Sequence, residues 1–209
     1  KATEYNVYKF LENNLSKYTW SIQKLNLNAQ NGLHDEDISL THRKSGIILK
    51  VESKNACRGS FSDGIRCRVI KEPHFKVKCH RSRSNIKLAD SSNDRYSVDD
   101  FDLIVCNTSN AAYQGNTIEN LEIIHNQKIL NILYDFYNVK NDRELINACN
   151  NDWRFVIPND IAENGYIPRT PYVKLSGDVN WFDITQLEER LLKVVEEKRK
   201  QRNAANSRR

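Results

Sequence analysis

Methionine is absent from the 209 residues, and no apolar run approaches the roughly 20 residues that a membrane-crossing helix needs. A transmembrane protein is therefore excluded. The stretch from Lys1 to Lys17 is polar and charged and lacks the apolar region of a signal peptide. No two cysteines form a CxxC pair, which excludes a zinc knuckle or ribbon. The five thiols, at 57, 67, 79, 106 and 149, are odd in number and widely spaced, the pattern of reduced cysteines in a cytoplasmic protein. Cys67, Cys79 and His80 are the one grouping close enough to suggest a metal, and their spacing is poor for one. No internal repeat or low-complexity linker divides the chain. The expectation is a single domain over 1–209, ending in a frayed basic tail from about 203 to 209.

What is present suffices for a core. The mean hydropathy is −0.70, yet 9% of residues are aromatic and Ile, Leu and Val recur with helical and strand periods, so full disorder is excluded. The net charge of +5 is modest but strongly segregated. Between Lys50 and Lys87 there are eleven Lys and Arg against Glu52, Asp63 and Glu72. From Asp90 to Asp102 the sign reverses, with five Asp against Arg95, and Lys198 to Arg209 carries six cations and no acid. Such segregation points to a polyanionic partner, with a solvated basic face as the rival explanation.

Periodicity predicts a helix over Thr3–Tyr18 with Thr3 as its cap, and a strand or irregular crossing over Tyr18–Leu27. A β-hairpin follows. Asp37–His42 alternates, Arg43–Gly46 forms the turn, and Ile47–Lys54 is the second strand. Further strands are expected at Ile65–Ile70, His74–His80, Phe101–Cys106 and Trp153–Ile157. Arg83–Asp100 reads as a loop. Helices are expected at Thr117–Tyr137, Arg143–Cys149 and Ile184–Arg202.

The hairpin concentrates chemistry. Glu52 and Lys54 are two apart on one strand and so share a face of the sheet. A turn at 43–46 pairs position 37 with position 52, bringing Asp37 opposite Glu52. Two carboxylates repel unless a cation lies between them, and Mg²⁺ favours one or two carboxylates with water and phosphate oxygens. A neighbouring lysine would neutralise charge growing on a phosphate, or orient and deprotonate the attacking water. The spacing E-x-K is weak by itself, since Glu196-x-Lys198 repeats it on a helix, and an ordinary cross-strand charge cluster is the competing reading.

The order Asp37-Ile-Ser-Leu, then Leu49-Lys-Val-Glu52-Ser-Lys54-Asn-Ala, resembles the PD-(D/E)xK nuclease signature, most closely that of the type II restriction endonucleases. Arg95-Tyr-Ser-Val-Asp-Asp-Phe-Asp-Leu-Ile-Val-Cys106 resembles a downstream strand of such enzymes, and Trp153-Arg-Phe-Val-Ile-Pro158 with Trp181 and a final helix resembles their closing segment. The resemblance implies an α/β fold with a restriction-endonuclease-like core, a central mixed β-sheet flanked by helices. It implies Asp37 and Glu52 as ligands of Mg²⁺, with Mn²⁺ able to substitute, Lys54 beside the attacking water, and Glu4 or Glu12 of the first helix as a further acid. It implies cleavage of double-stranded DNA by a homodimer in the cytoplasm of a bacterial or archaeal cell, with a companion DNA methyltransferase. The basic segment would supply DNA contacts from Asn55, Arg58, Ser60, Lys76, Lys78, His80, Arg81 and Arg83. The chain departs from the pattern at Glu36, where the family usually has proline, and Asp35 competes with Asp37 as the metal aspartate. Two other functions stay open: a structure-specific repair or recombination nuclease of the same fold, and a non-catalytic nucleic-acid-binding protein.

Overall fold

The computed structural model describes residues 2–24, 37–80, 94–114, 122–123 and 125–207. Its centre is a five-stranded mixed sheet. In chain order the strands are β1 (Trp20–Lys24), β2 (Ile38–His42), β3 (Ile47–Asn55), β5 (Leu103–Asn107) and β8 (Trp153–Val156), and they lie side by side in that same order. Neighbours are antiparallel except for β3 and β5, which run parallel. A two-stranded ladder, β4 (His74–Lys76) with β9 (Tyr172–Lys174), packs against one face.

Alternation along β3 decides what lies on each side. Ile47, Leu49 and Val51 are buried among Val7 and Leu11 of helix α1 (Ala2–Asn14), Leu15 just beyond it, and Leu187, Leu191, Val194 and Val195 of helix α5 (Ile184–Asn206). The intervening residues face the other way, where Ile104, Cys106 and Val156 pack with Phe75, Val77 and Val173 of the small ladder and with Leu133 and Leu145. Those two leucines belong to α3 (Gln127–Tyr137) and α4 (Asp142–Asn151). The short helix α2 (Ser109–Ala112) adds Ala111 and Ala112 to the same layer. The central mixed sheet flanked by helices is thus the architecture the sequence led one to expect.

The hairpin register also follows the sequence pattern: His42 pairs with Ile47 and Ile38 with Val51. Gly46 closes the turn at φ +66°, a conformation that L side chains rarely adopt, and donates to the carbonyl of His42 at 2.9 Å. Asp102 fastens the start of the parallel ladder. Its Oδ2 accepts from the Lys50 N–H at 2.8 Å and from Lys198 of α5 at 2.7 Å.

Several expectations are corrected. Ile65–Ile70 is not a strand but a closed turn, because Gly64 at φ +79° leads the chain back on itself and Cys67 donates to the Gly64 carbonyl at 3.0 Å. Of the helix expected over Thr117–Tyr137, residues 117–121 and 124 lie outside the described residues, Glu122–Ile123 (β7) forms a short strand against Tyr113–Gln114 (β6), and the described helix is Gln127–Tyr137, capped by the Asn126 side chain. Thr3 lies inside the first helix and is not its cap. The C-terminal helix runs past Arg202 to Asn206, where Ser207 donates through its backbone and hydroxyl to the Asn203 carbonyl. The strand His74–His80 is shorter than its pattern, with single bridges at Val77 and His80 beyond Lys76.

Adjacent residues of β3 test the packing. Leu49→Ala removes a fully buried side chain and should lower stability by about 2–5 kcal/mol, whereas Ile48→Ala, at a site 56% exposed, should change it by less than about 0.5 kcal/mol. Urea denaturation midpoints of the two variants measure the contrast.

Candidate active site

Continuing the register of β2 and β3 by one residue sets Asp37 across from Glu52, and the Asp37 N–H donates to the Val51 carbonyl at 3.2 Å. Both residues are buried, Asp37 at 8% and Glu52 at 5% exposure. The Asp37 carboxylate is oriented by the Ser53 N–H, which donates to Oδ2 at 2.9 Å.

Lys54 reaches back along the same face. Its Nζ lies 2.5 Å from Glu52 Oε1 and donates to the Tyr96 hydroxyl at 3.1 Å, with the ammonium 4.4 Å from the centre of the Tyr96 ring. Tyr96 is itself fixed: it packs edge-on to Phe101 at 4.8 Å, and its carbonyl accepts from the Ile167 N–H at 2.9 Å. The Tyr96 ring is buried. Its contact with Lys54 has no local sequence signal, because 42 residues separate the two.

Electrostatics divide the three groups. Burial pushes the Asp37 carboxyl above its ordinary range, and the negative charge of Glu4 adds to this, while the Ser53 N–H and Lys54 oppose it. For Lys54 burial is again the largest influence and disfavours the charge, but Glu52 and Tyr96 together outweigh it and hold the ammonium up at about 12. Lys54 is therefore held as a positive charge that donates hydrogen bonds to Glu52 and Tyr96. Of the two acids considered on the first helix, Glu4 is the one whose field reaches Asp37; Glu12 is engaged by Tyr8 and Lys9 at 3.0 and 2.8 Å.

The donor set is two carboxylates, with neither thiolate nor imidazole in it. That chemistry fits a hard divalent cation such as Mg²⁺, which completes its shell with water and phosphate oxygens. Among the described residues no group of three or more His, Cys, Asp or Glu is arranged to hold a metal. The grouping of Cys67, Cys79 and His80 is thereby set aside. Cys79 is buried in the core, which pushes its thiol up to about 12.

The residues expected to contact DNA emerge from the end of β3. Beyond Asn55 the chain pairs as an antiparallel ribbon, Ala56 with Val77 and Ser62 with His74. Lys78 donates through its backbone to Asn55 at 3.0 Å, and Cys57 to Lys76 at 2.7 Å. Asn55, Arg58 and Lys78 are exposed there, and Lys76 and His80 half-exposed. The Lys76 ammonium lies 5.3 Å from the Tyr172 ring centre. The Ser60 hydroxyl accepts from the Lys76 N–H at 3.1 Å, so it is used to hold the ribbon together. Arg81 and Arg83, like Asp35 and Glu36, lie outside the described residues.

No family model, no curated protein and no solved structure matches this chain.

Proposed function

We propose that the chain is a Mg²⁺-dependent nuclease that hydrolyses phosphodiester bonds of double-stranded DNA, of the type II restriction kind within the PD-(D/E)xK superfamily. The observation that carries this reading is the convergence of Asp37, Glu52 and Lys54 on one sheet face, at the point where the basic ribbon begins. A mixed sheet flanked by helices agrees with the restriction-endonuclease-like core that the family resemblance implies.

Asp37 and Glu52 would hold the metal. When bound, Mg²⁺ supplies a polarised phosphoryl group and a water of lowered pKa. The Ser53 N–H fixes the Asp37 carboxylate through Oδ2. Lys54, anchored by Tyr96, offers its ammonium to the charge that accumulates on the phosphoryl oxygens. Lys76 and Lys78 lie next to the end of β3, in position to neutralise flanking phosphates. An enzyme of this type would act as a homodimer on a two-fold symmetric site, beside a methyltransferase that protects the host DNA.

Incubation with plasmid and Mg²⁺ tests the reading. Discrete bands support it. Cutting confined to flaps or junctions would move the function to structure-specific repair, and binding without cleavage would leave a nucleic-acid-binding protein.

Glu52→Gln preserves shape and removes a ligand charge. It should retain DNA binding and reduce cleavage on the order of 10³-fold or more. Half of the wild-type rate would sink the assignment of Glu52. The register distinguishes the two aspartates: Asp37→Asn should be inactive and Asp35→Asn should still cut, as read by plasmid linearisation over time. Abolished cutting in the Asp35 variant alone would make Asp35 the ligand.

A further inference from the structure

The ribbon that leaves β3 ends in an ordered, closed loop. Beyond the bridge between Ser62 and His74, the chain turns at Gly64, where an added Cβ would come within 2.5 Å of the Lys71 backbone. Ile65 N–H donates to Asp63 Oδ1 at 3.0 Å, Ile70 N–H to Cys67 Sγ at 3.5 Å, and Lys71 Nζ to the Cys67 carbonyl at 2.8 Å. These hydrogen bonds close the loop from within.

Its outer surface is unusual. Ile65 is 61% and Val69 70% exposed, and Arg66 and Arg68 lie between them, Arg66 exposed. Isolated surface aliphatics need no explanation, but two on one turn, with two arginines between them, form a patch of definite character. The acids that flank the loop do not neutralise those arginines. Asp63 is bound by Lys128 at 2.9 Å and Glu72 by Lys174 at 2.8 Å, which leaves Arg66 and Arg68 without an ion pair among the described residues. Two cations that no described acid pairs match the phosphates of a duplex, and the aliphatics on either side of them match its stacked bases.

We propose that this loop is a DNA-deforming element: Ile65 and Val69 press between base pairs while Arg66 and Arg68 hold the adjacent phosphates. The inference rests on the nuclease reading and adds to it a mode of engagement. From Val77 back to His74 the ribbon advances about 10 Å at the usual strand rise, so the loop reaches the duplex away from the carboxylate pair. Aliphatic wedges of this kind unstack a base step and kink the duplex. The bend would carry DNA from the loop tip towards Lys76, Lys78 and the face that holds Asp37 and Glu52.

The test uses the full chain and covalently closed plasmid, with Ca²⁺ in place of Mg²⁺. A metal-independent type IB topoisomerase relaxes the plasmid in the presence of protein, and the topoisomer distribution records unwinding. Wild-type protein should shift the distribution. Ile65→Ser with Val69→Ser should abolish that shift while plasmid binding persists within about tenfold of wild type, since phosphate neutralisation supplies most of the affinity. Arg66→Gln with Arg68→Gln, tested separately, should flatten the slope of log affinity against log salt by about two, one for each phosphate no longer neutralised. The proposal fails if wild-type protein binds without unwinding, or if both double variants behave as wild type. It fails too if the serine variant changes only self-association in sedimentation. If the wild-type chain binds no plasmid at any salt concentration, the nuclease reading falls with it, whereas unaltered variants of an active nuclease overturn the loop alone.

Discussion

Everything at the candidate site depends on the pairing of β2 with β3. Strand side chains alternate, so a slip of one residue would turn Glu52 and Lys54 into the helix-packed core and bring Val51 out to the site. Two features prevent the slip. Gly46 fixes the turn, assisted by the 2.8 Å contact between His42 Nδ1 and Ser45 Oγ. Leu40, Leu49, Ile38 and Val51 then fill one continuous core with α1 and α5, and a one-residue slip would pull one strand's pair out of it. The chemistry on one face is thus aligned by the hydrophobic fit of the opposite face.

The same arrangement keeps charges where water cannot screen them. Burial disfavours the ionised forms of Asp37 and Lys54 alike, yet the two respond differently. Lys54 is compensated by Glu52 and by the Tyr96 hydroxyl. For Asp37 burial comes first and outweighs the Ser53 N–H, with Glu4 adding to it and Lys54 and Glu52 opposing it. A site with a satisfied cation and an under-compensated acid is poised for additional positive charge, and a divalent ion would relieve it.

Much of this was legible in the sequence because it is local. The turn at Arg43–Gly46, the alternation of Ile47–Val51 and the pair spacing of Glu52 and Lys54 all lie close together in the chain, and strand geometry converts them directly into a shared face. What was not legible depends on distant partners. Tyr96 meets Lys54 and Lys198 meets Asp102 only after the sheet has assembled. Ile65–Ile70 misled for the opposite reason. Its alternation is that of a strand, but no described strand pairs with it, and the left-handed glycine at 64 bends the segment into a turn. The helix expected from Thr117 was placed too early because its apolar spacing runs on ahead of Asn126, while only the cap at Asn126 marks where the helix begins.

Asp102 has a wider significance than its role in the ladder. The parallel pairing of β3 with β5 starts at Val51, so among the described residues the earlier part of β3, including exposed Ile48, presents a short stretch of strand edge. An open, apolar edge invites a second chain to add a strand, and is a common origin of aggregation. Here the Asp102 carboxylate takes the Lys50 N–H that such a strand would use, while the Asp102 N–H takes the Lys50 carbonyl at 2.8 Å. The ammonium of Lys198 lies against that carboxylate, so charge stands at the spot where an intruding backbone would have to dock. One aspartate both begins the internal ladder and blocks its spread from one molecule to the next, at the edge of the very strand that carries Glu52 and Lys54.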